Sequence, residues 1–185
     1  MARRPSQIPY MAAALFTLLL VVAAWVGRDR FAPVGPGSLA PQYEATTLAG
    51  EPATIEDYRG KVVLLNIWAT WCAPCRYEMP SMERLYQEFQ GHEFEIVAVS
   101  IDAPAGLRDP GGNPGGNIQA FADSLGLTFP LLHDPSGGIQ RAYQTTGVPE
   151  SFLLARDGTI FRKVAGATEW DAPHYVELIH RLLEG

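Results

Sequence analysis

The chain has 185 residues, of which 47% are hydrophobic, and a formal net charge of −6. This length suits one domain with an additional segment, and the hydrophobic fraction excludes a disordered protein. The first 30 residues carry a formal charge of +3, so the remainder carries −9. Because phosphate binding requires clustered Lys and Arg, this acidic remainder argues against nucleic acid as a partner.

The N-terminal segment, residues 1–30, has the pattern of an export signal. Arg3 and Arg4 precede residues 10–26, which contain no charged side chain. This run is at the short end of the ~17–25 residues that span a bilayer, and the preceding positive charge favours a cytoplasmic N-terminus. We expect a single transmembrane anchor. The alternative is a signal peptide cleaved near residues 22–24, and both interpretations place the rest of the chain in an oxidising compartment.

The remainder divides into a linker and a folded domain. Residues 31–42 are rich in Pro and Gly, which predicts a spacer, and residues 43–185 form the predicted domain. A long segment inside this domain, residues 103–117, contains five glycines and three prolines. Such a segment excludes the interior of a helix or strand. It is either a functional loop or a tolerated surface insertion.

Hydrophobic patterns and turn signals predict the elements of the domain. The continuous apolar runs at 62–68 and 94–101 are typical of central strands covered on both faces, and Asp157-Gly158 predicts a hairpin. The order of elements predicts an α/β fold with a central mixed sheet of about five strands and helices on both faces. The predicted strands lie at 43–48, 54–55, 62–68, 94–101, 129–132 (an edge strand), 151–155 and 159–164, and the helices at 74–89, 118–125, 138–143 and 173–183.

The chain contains two cysteines, Cys72 and Cys75, which follow the apolar run at 62–68. Two cysteines cannot form a disulfide-rich scaffold, which requires several pairs. A structural zinc site commonly uses four ligands, whereas the two closest histidines are His174 and His180, six residues apart. We therefore expect no metal site.

The spacing of the cysteines indicates redox chemistry. Two intervening residues allow Cys72 and Cys75 to close a small disulfide ring. Cys72 would lie at the start of the predicted helix, where unpaired N–H groups and the helix dipole stabilise a thiolate. A thiolate is the attacking species in disulfide exchange, and Cys75, one turn further, would resolve the mixed disulfide.

Two motifs and the N-terminal segment together resemble a known family. The sequence Trp71-Cys72-Ala73-Pro74-Cys75 is similar to the active site of the thioredoxin superfamily. The sequences at 78–80 (Glu-Met-Pro) and 147–152 (Gly-Val-Pro-Glu-Ser-Phe) narrow the resemblance to the TlpA/ResA/CcmG (DsbE) group of membrane-anchored thiol–disulfide oxidoreductases. The resemblance implies a thioredoxin-like fold over about residues 40–183. It also implies a location at the bacterial cytoplasmic membrane, with the catalytic domain on the periplasmic side.

The resemblance also implies roles for residues around the cysteines. Pro149 matches the cis-proline that faces the redox pair, and the backbone of Val148 would bind the substrate chain. Trp71, Ala73 and Pro74 would contribute to the surface that contacts the substrate.

Glu78 matches the active-site glutamate of this group. It lies three residues after Cys75, on the same helical face, and is a candidate acid/base for the Cys75 thiol. The neighbouring strand carries Asn66 where thioredoxin has a buried aspartate, and an amide cannot titrate. The alternative is that Glu78 is a solvated residue of the first helical turn that suits the helix dipole.

The resemblance favours the reduction of protein disulfides, for example at the haem-binding cysteines of apocytochrome c. A membrane thiol donor of the DsbD/CcdA type would return electrons to the Cys72–Cys75 pair, which needs no other cofactor. Two alternatives remain open. The first is a peroxiredoxin-like peroxidase, although Thr70 is two rather than three residues before Cys72. The second is a copper or haem chaperone that uses the thiols as ligands.

Overall fold

The computed structural model describes residues 8–27 and 33–185. These residues divide into two compact units, with the boundary between Pro33 and Val34. The first unit contains the helix α1 (Ile8–Gly27). Within the described ranges, no helix combines the length and the apolar character required of a membrane span. The remaining parts of the predicted N-terminal segment, residues 1–7 and 28–30, lie outside the described residues, as do the first two residues of the predicted spacer, 31–32.

The second unit alternates strands and helices, as the sequence pattern predicts. A short 3₁₀ helix, Ile55–Tyr58, replaces the strand predicted at 54–55. The strands are β1 (Ala45–Thr47), β2 (Pro52–Ala53), β3 (Val62–Trp68), β4 (Phe94–Ser100), β5 (Leu131–His133), β6 (Glu150–Leu154) and β7 (Ile160–Ala165), and the helices are α2 (Ala73–Glu88), α3 (Ile118–Leu125), α4 (Gly138–Ala142) and α5 (Pro173–Glu184).

These strands form one mixed sheet in the order β2-β1-β5-β4-β3-β6-β7. Strands β3, β4 and β5 are parallel, and the remaining pairs are antiparallel. The sheet has seven strands in the described residues instead of about five. The difference arises because Thr46 and Thr47 of β1 pair with His133 and Leu132 of β5. Strand β5 therefore lies inside the sheet, and its prediction as an edge strand is wrong.

The core surrounds the central strands. Every residue of β3 and β4 is buried, which means that both faces of these strands are covered. Trp68, at the end of β3, is fully buried and packs on Phe121 of α3 with ring centroids 4.8 Å apart. Trp68 is paired with Ser100 at the end of the parallel strand β4. The segments that follow both strands therefore leave the sheet at the same edge.

The predicted spacer, residues 31–42, differs from the structure beyond Pro33. Gly37 N–H donates to Ile160 O (2.8 Å), Ile160 N–H donates to Ser38 O (2.8 Å), and Ala40 N–H donates to Gly158 O (2.9 Å). The segment therefore pairs with the β6–β7 hairpin and belongs to the second unit. Composition predicts a loop here, but these backbone partners lie about 120 residues away in the sequence.

The long loop at residues 103–117 is folded on itself. Asp109 N–H donates to Asn113 O and Gly115 N–H donates to Leu107 O, each at 2.9 Å. The side chains of Asn113 and Asp109 are also hydrogen-bonded, at 2.9 Å. The segment contains neither a helix nor a long strand, and these contacts fold it into a compact, hairpin-like loop.

Candidate active site

The two cysteines lie where β3 is followed by α2. Cys72 is the N-cap of α2, and the Cys75 N–H donates to Cys72 Sγ at 3.1 Å. Pro74 occupies the first turn, where a missing N–H costs no helical hydrogen bond. The helix begins at Ala73, one residue before the predicted start, and continues through Pro80. The sequence signals therefore place this helix start correctly to within one residue.

Cys72 and Cys75 form a disulfide. Cys72 retains 4% of its accessible surface and Cys75 retains none. The thiol at the helix N-terminus is thus the one that another molecule can reach. Its position next to the unpaired N–H groups of α2 favours the thiolate once the disulfide is reduced.

Glu78 is buried one turn after Cys75. Its side chain is 1% exposed, Asn66 Nδ2 donates to Oε1 at 2.7 Å, and Thr168 N–H donates to Oε2 at 3.3 Å. Burial raises the pKa of Glu78 to about 7, and the hydrogen bonds from Asn66 and Thr168 oppose this rise. The Trp170 indole also favours the charged form, although its Nε1 lies outside hydrogen-bond geometry. The alternative of a solvated Glu78 is wrong.

Asn66 connects Glu78 to the sheet. Asn66 lies on β3 directly opposite Ser151 of β6, and its Nδ2 also donates to Ser151 Oγ at 2.9 Å. Its Oδ1 is buried without a hydrogen-bond partner among the described residues. The amide therefore holds the carboxylate from the strand side. Sequence reasoning missed Ser151 as a contact, although it lies within the motif at 147–152.

A segment distant in sequence covers Glu78 from the other side. Ser81 Oγ–H donates to Glu78 O at 2.7 Å, and Trp170 N–H donates to Ser81 Oγ at 3.0 Å. These bonds anchor residues 168–170 over the first turns of α2. No local pattern in the sequence indicates this contact, because the partners are about 90 residues apart.

Pro149 lies at the same edge of the sheet as the cysteines. The Val148–Pro149 peptide bond is cis, as the resemblance implies. Glu150 begins β6 and pairs antiparallel with Ile67 near the end of β3, so Val148 and Pro149 lie beyond the carboxyl end of β3. Pro149 is buried and Val148 is half-buried. Glu150 forms an ion pair with Lys163, with Oε1 and Nζ 2.9 Å apart.

The residues predicted to contact the substrate differ in exposure. Ala73 and Pro74 are exposed, whereas Trp71 is half-buried. Tyr77, which the sequence reasoning missed, has 80% of its surface exposed on the first turns of α2. Tyr77 and Glu78 also border a shallow cavity lined by Thr168. Exposed apolar side chains therefore lie next to Cys72 and further along α2, with the exposed Arg76 between them.

No group of three or more His, Cys, Asp or Glu side chains in residues 8–27 and 33–185 is arranged to hold a metal ion. The chemistry that this arrangement supports is sulfur chemistry. It has one reachable sulfur, one enclosed sulfur and a buried carboxyl group that titrates near neutral pH.

Comparison with known proteins places this site in a family. The model of the AhpC/TSA family matches residues 36–163. The chain belongs to the AhpC/TSA family. Its relatives there include the thiol-disulfide oxidoreductase ResA of Geobacillus thermodenitrificans, 35% identical over 170 residues, which are 88% of this chain and 92% of the relative. The thioredoxin-like protein YneN of Bacillus subtilis is 34% identical over 82% of this chain and 86% of its own.

Solved structures of thiol:disulfide interchange proteins are also similar to this chain. A thiol:disulfide interchange protein DsbE from Chlorobium tepidum has a TM-score of 0.63 and 28% identity, covering 80% of this chain and 95% of its own. The thioredoxin-like fold and the resemblance to the ResA/DsbE group are thereby confirmed. The predicted enzyme class, thiol–disulfide oxidoreductase, is also confirmed.

Proposed function

We propose that this thiol–disulfide oxidoreductase reduces protein disulfides outside the cytoplasm. The observation that carries the proposal is the pairing of reachable Cys72 with enclosed Cys75, one turn before a buried Glu78 whose pKa is about 7. In the reductive direction the enclosed thiol must lose its proton inside the protein. A carboxyl group that is substantially ionised at neutral pH is suited to accept that proton.

The first step is attack on the client. The Cys72 thiolate of the reduced enzyme displaces one sulfur of the client disulfide, which leaves as a thiolate. A mixed disulfide between Cys72 and the client results. The exposed Ala73 and Pro74, with half-buried Trp71 and the Val148 backbone, would hold the client chain beside Cys72.

The second step releases the client. Cys75 transfers its proton to the Glu78 carboxylate, and the resulting thiolate attacks Cys72 Sγ. The Cys72–Cys75 disulfide forms and the second client sulfur leaves as a thiolate. The client gains two electrons and the enzyme loses two. The enzyme disulfide is the form that the structure contains.

A further thiol must return these electrons. Reduction of the Cys72–Cys75 disulfide needs a dithiol donor, and the family resemblance makes a membrane donor of the DsbD/CcdA type our proposal. The same resemblance makes the haem-binding cysteines of apocytochrome c the proposed client. The redox-active disulfide is the one redox group that this cycle requires.

The proposed location follows from the N-terminal sequence. Arg3 and Arg4 precede the uncharged residues 10–26, a charge pattern typical of exported proteins, whether the segment is retained as a membrane anchor or cleaved. Outside the cytoplasm the cysteines of client proteins are expected to become oxidised to disulfides, and these disulfides are the substrates of a reductase. The proposal therefore places the second unit on the periplasmic side.

The test uses the reduced full chain and a peptide with a disulfide between two cysteines spaced as in a haem-binding site. We expect client thiols to appear in single turnover, and Cys72→Ser to give none. A wild-type rate no higher than that of Cys72→Ser would contradict the proposal. The equilibrium potential of the Cys72–Cys75 pair gives the direction of electron flow. A value of about −270 mV indicates a reductase, and a value of about −120 mV indicates an oxidant.

The alternatives give different results in the same preparation. Membership of the AhpC/TSA family makes peroxidase activity worth measuring. Consumption of hydrogen peroxide at a rate that exceeds client reduction would favour the peroxidase. Copper or haem retained after purification, without disulfide reductase activity, would favour the chaperone.

A further inference from the structure

Asp102, which follows β4, is fully buried and does not take part in the steps above. Its carboxylate accepts four hydrogen bonds. Ser100 Oγ–H donates to Oδ2 at 2.6 Å and Gly116 N–H donates to Oδ1 at 3.2 Å. Thr70 supplies the other two. A buried carboxylate is costly unless such donors replace its water, so this site is organised around the charge.

The contacts with Thr70 reach the active-site turn. Thr70 N–H donates to Oδ2 of Asp102 at 2.8 Å, and Thr70 Oγ1–H donates to Oδ1 at 2.6 Å. Thr70 lies within the turn formed by residues 69–72, which the Cys72 N–H closes by donating to Ala69 O at 3.1 Å. This turn delivers Cys72 to the N-terminus of α2. Asp102 thus holds the residue at the middle of the turn through both its backbone and its side chain.

The end of the long loop is fixed to the same point. Besides the hydrogen bond from Gly116 N–H to Asp102, Gly116 packs directly on Thr70. A Cβ atom at residue 116 would lie 1.9 Å from Thr70 Oγ1 and 2.7 Å from Thr70 Cβ. At residue 115 it would lie 2.2 Å from Ala103 O. Gly116 therefore lets the end of loop 103–117 approach the turn closely, and Gly115 lets the same segment approach the beginning of the loop at Ala103.

We propose that Asp102 is a positioning residue for Cys72. Through its hydrogen bonds to Thr70 and Gly116, Asp102 joins the active-site turn and the end of loop 103–117 into one unit. The proposal rests on the proposed function in one respect, namely that Cys72 is the attacking thiol. It predicts that loosening the contact between Thr70 and Asp102, or between Gly116 and Thr70, changes the reactivity of Cys72 in the folded protein.

The first test compares two substitutions of Thr70. Thr70→Val keeps the shape and the backbone N–H but removes the hydroxyl that donates to Asp102, whereas Thr70→Ser retains the hydroxyl. The rate constant for reduction of the Cys72–Cys75 disulfide by dithiothreitol is measured in each full-length variant. The alkylation rate of Cys72 by iodoacetamide is measured across pH in each reduced variant. We expect about 5-fold slower reduction in Thr70→Val and rates within about twofold of wild type in Thr70→Ser.

The second test moves the loop from the other side. Gly116→Ala forces the loop away from Thr70, and we expect about 10-fold slower reduction because Cys72 is misplaced relative to the helix N-terminus. Gly35→Ala is the matched control, since a Cβ at residue 35 meets no atom within 4 Å. Urea unfolding of every variant establishes that the rates are measured on folded protein.

The outcomes separate positioning from a purely structural role. Variants with lowered urea midpoints but wild-type rates and pH profiles would overturn the proposal. Reduction of the enzyme's own disulfide by dithiothreitol requires no client. If the wild type fails to reduce a client but the Thr70 variants differ as expected, the proposed function fails and the positioning role stands. If the wild type reduces the client and the variants match it, the positioning role fails.

Discussion

Asn66 Nδ2 on β3 and Glu78 Oε1 on α2 lie 2.7 Å apart, and both side chains are buried. The contact pairs a group that cannot titrate with one whose pKa is about 7. The protonation of this site at neutral pH therefore depends on Glu78, which leads to predictions for exchange and for stability.

Glu78→Gln removes the proposed proton acceptor while retaining size and hydrogen-bonding capacity. We expect the resolving step to slow by about 100-fold at pH 8, because Cys75 loses its internal base. The wild-type rate should rise with pH through about 7, and the variant should lack this component. Single-turnover reduction of a peptide disulfide from pH 6 to 8.5 measures both effects. Unchanged thiol pKa values and exchange rates in Glu78→Gln would refute the role.

The raised pKa of Glu78 also predicts how stability depends on pH. Between the ordinary value of 4.5 and about 7, the folded protein binds more protons at this site than the unfolded chain. The contribution of Glu78 to the free energy of unfolding is thus fully present below pH 4.5, falls as the pH rises, and is lost above about 7. The total change is about 3 kcal/mol. Urea unfolding measures the free energy of unfolding of oxidised wild type and of oxidised Glu78→Gln. As the pH rises, this free energy should fall in the wild type relative to the variant.

Asn66→Asp would place a second carboxyl group against Glu78. Ionising both carboxyl groups at this distance is unfavourable because the two negative charges repel each other. The pair should therefore retain a proton to higher pH. We expect a loss of about 2–4 kcal/mol in the free energy of unfolding at pH 8 and a smaller loss at pH 5. Ser151→Ala is the control, because it removes the other partner of the Asn66 amide without adding charge. An equal loss at both pH values would contradict the expectation.

The difference in exposure between the sulfurs predicts which thiol is captured by a client. Cys75→Ser leaves the reachable Cys72 without a resolving partner, so a mixed disulfide should accumulate. Cys72→Ser leaves only the enclosed thiol and should accumulate none. Mass spectrometry of the intact adducts after acid quenching measures this. Equal trapping by both variants would show that the buried sulfur reaches clients.

Ser81→Ala tests the attachment of residues 168–170. Ser81 Oγ accepts from Trp170 N–H and donates to Glu78 O, so its removal leaves a buried N–H unpaired. We expect a loss of about 1–3 kcal/mol in the free energy of unfolding. Ser124→Ala removes a similar bond to a helical carbonyl at an exposed position and should cost much less. A similar loss of unfolding free energy in both variants would mean that the contact between Ser81 and Trp170 contributes little to stability.

Local sequence signals account for much of the fold. The apolar runs at 62–68 and 94–101 predict the buried strands β3 and β4, and Asn117 caps α3 by accepting from Ala120 N–H at 2.9 Å. These features depend on residues close together in the chain, where periodicity and capping chemistry act.

The contacts that the sequence does not reveal are long-range. Thr168 lies 90 residues from Glu78, and Gly116 lies 46 residues from Thr70. The spacer prediction for residues 31–42 differs from the structure for the same reason, since Ser38 pairs with Ile160. Composition describes how a segment behaves alone and carries no information about which distant backbone accepts its hydrogen bonds.

The pairing of residues 37–40 with the hairpin has a consequence for association between copies. Strand β7 is the last strand of the sheet, and an uncovered last strand offers its N–H and C=O groups to a second chain. Gly37 and Ser38 occupy the outward-facing groups of Ile160, where β7 begins. A fragment starting at Tyr43 would lose this cover, so its tendency to aggregate by edge-to-edge pairing should exceed that of a fragment starting at Val34.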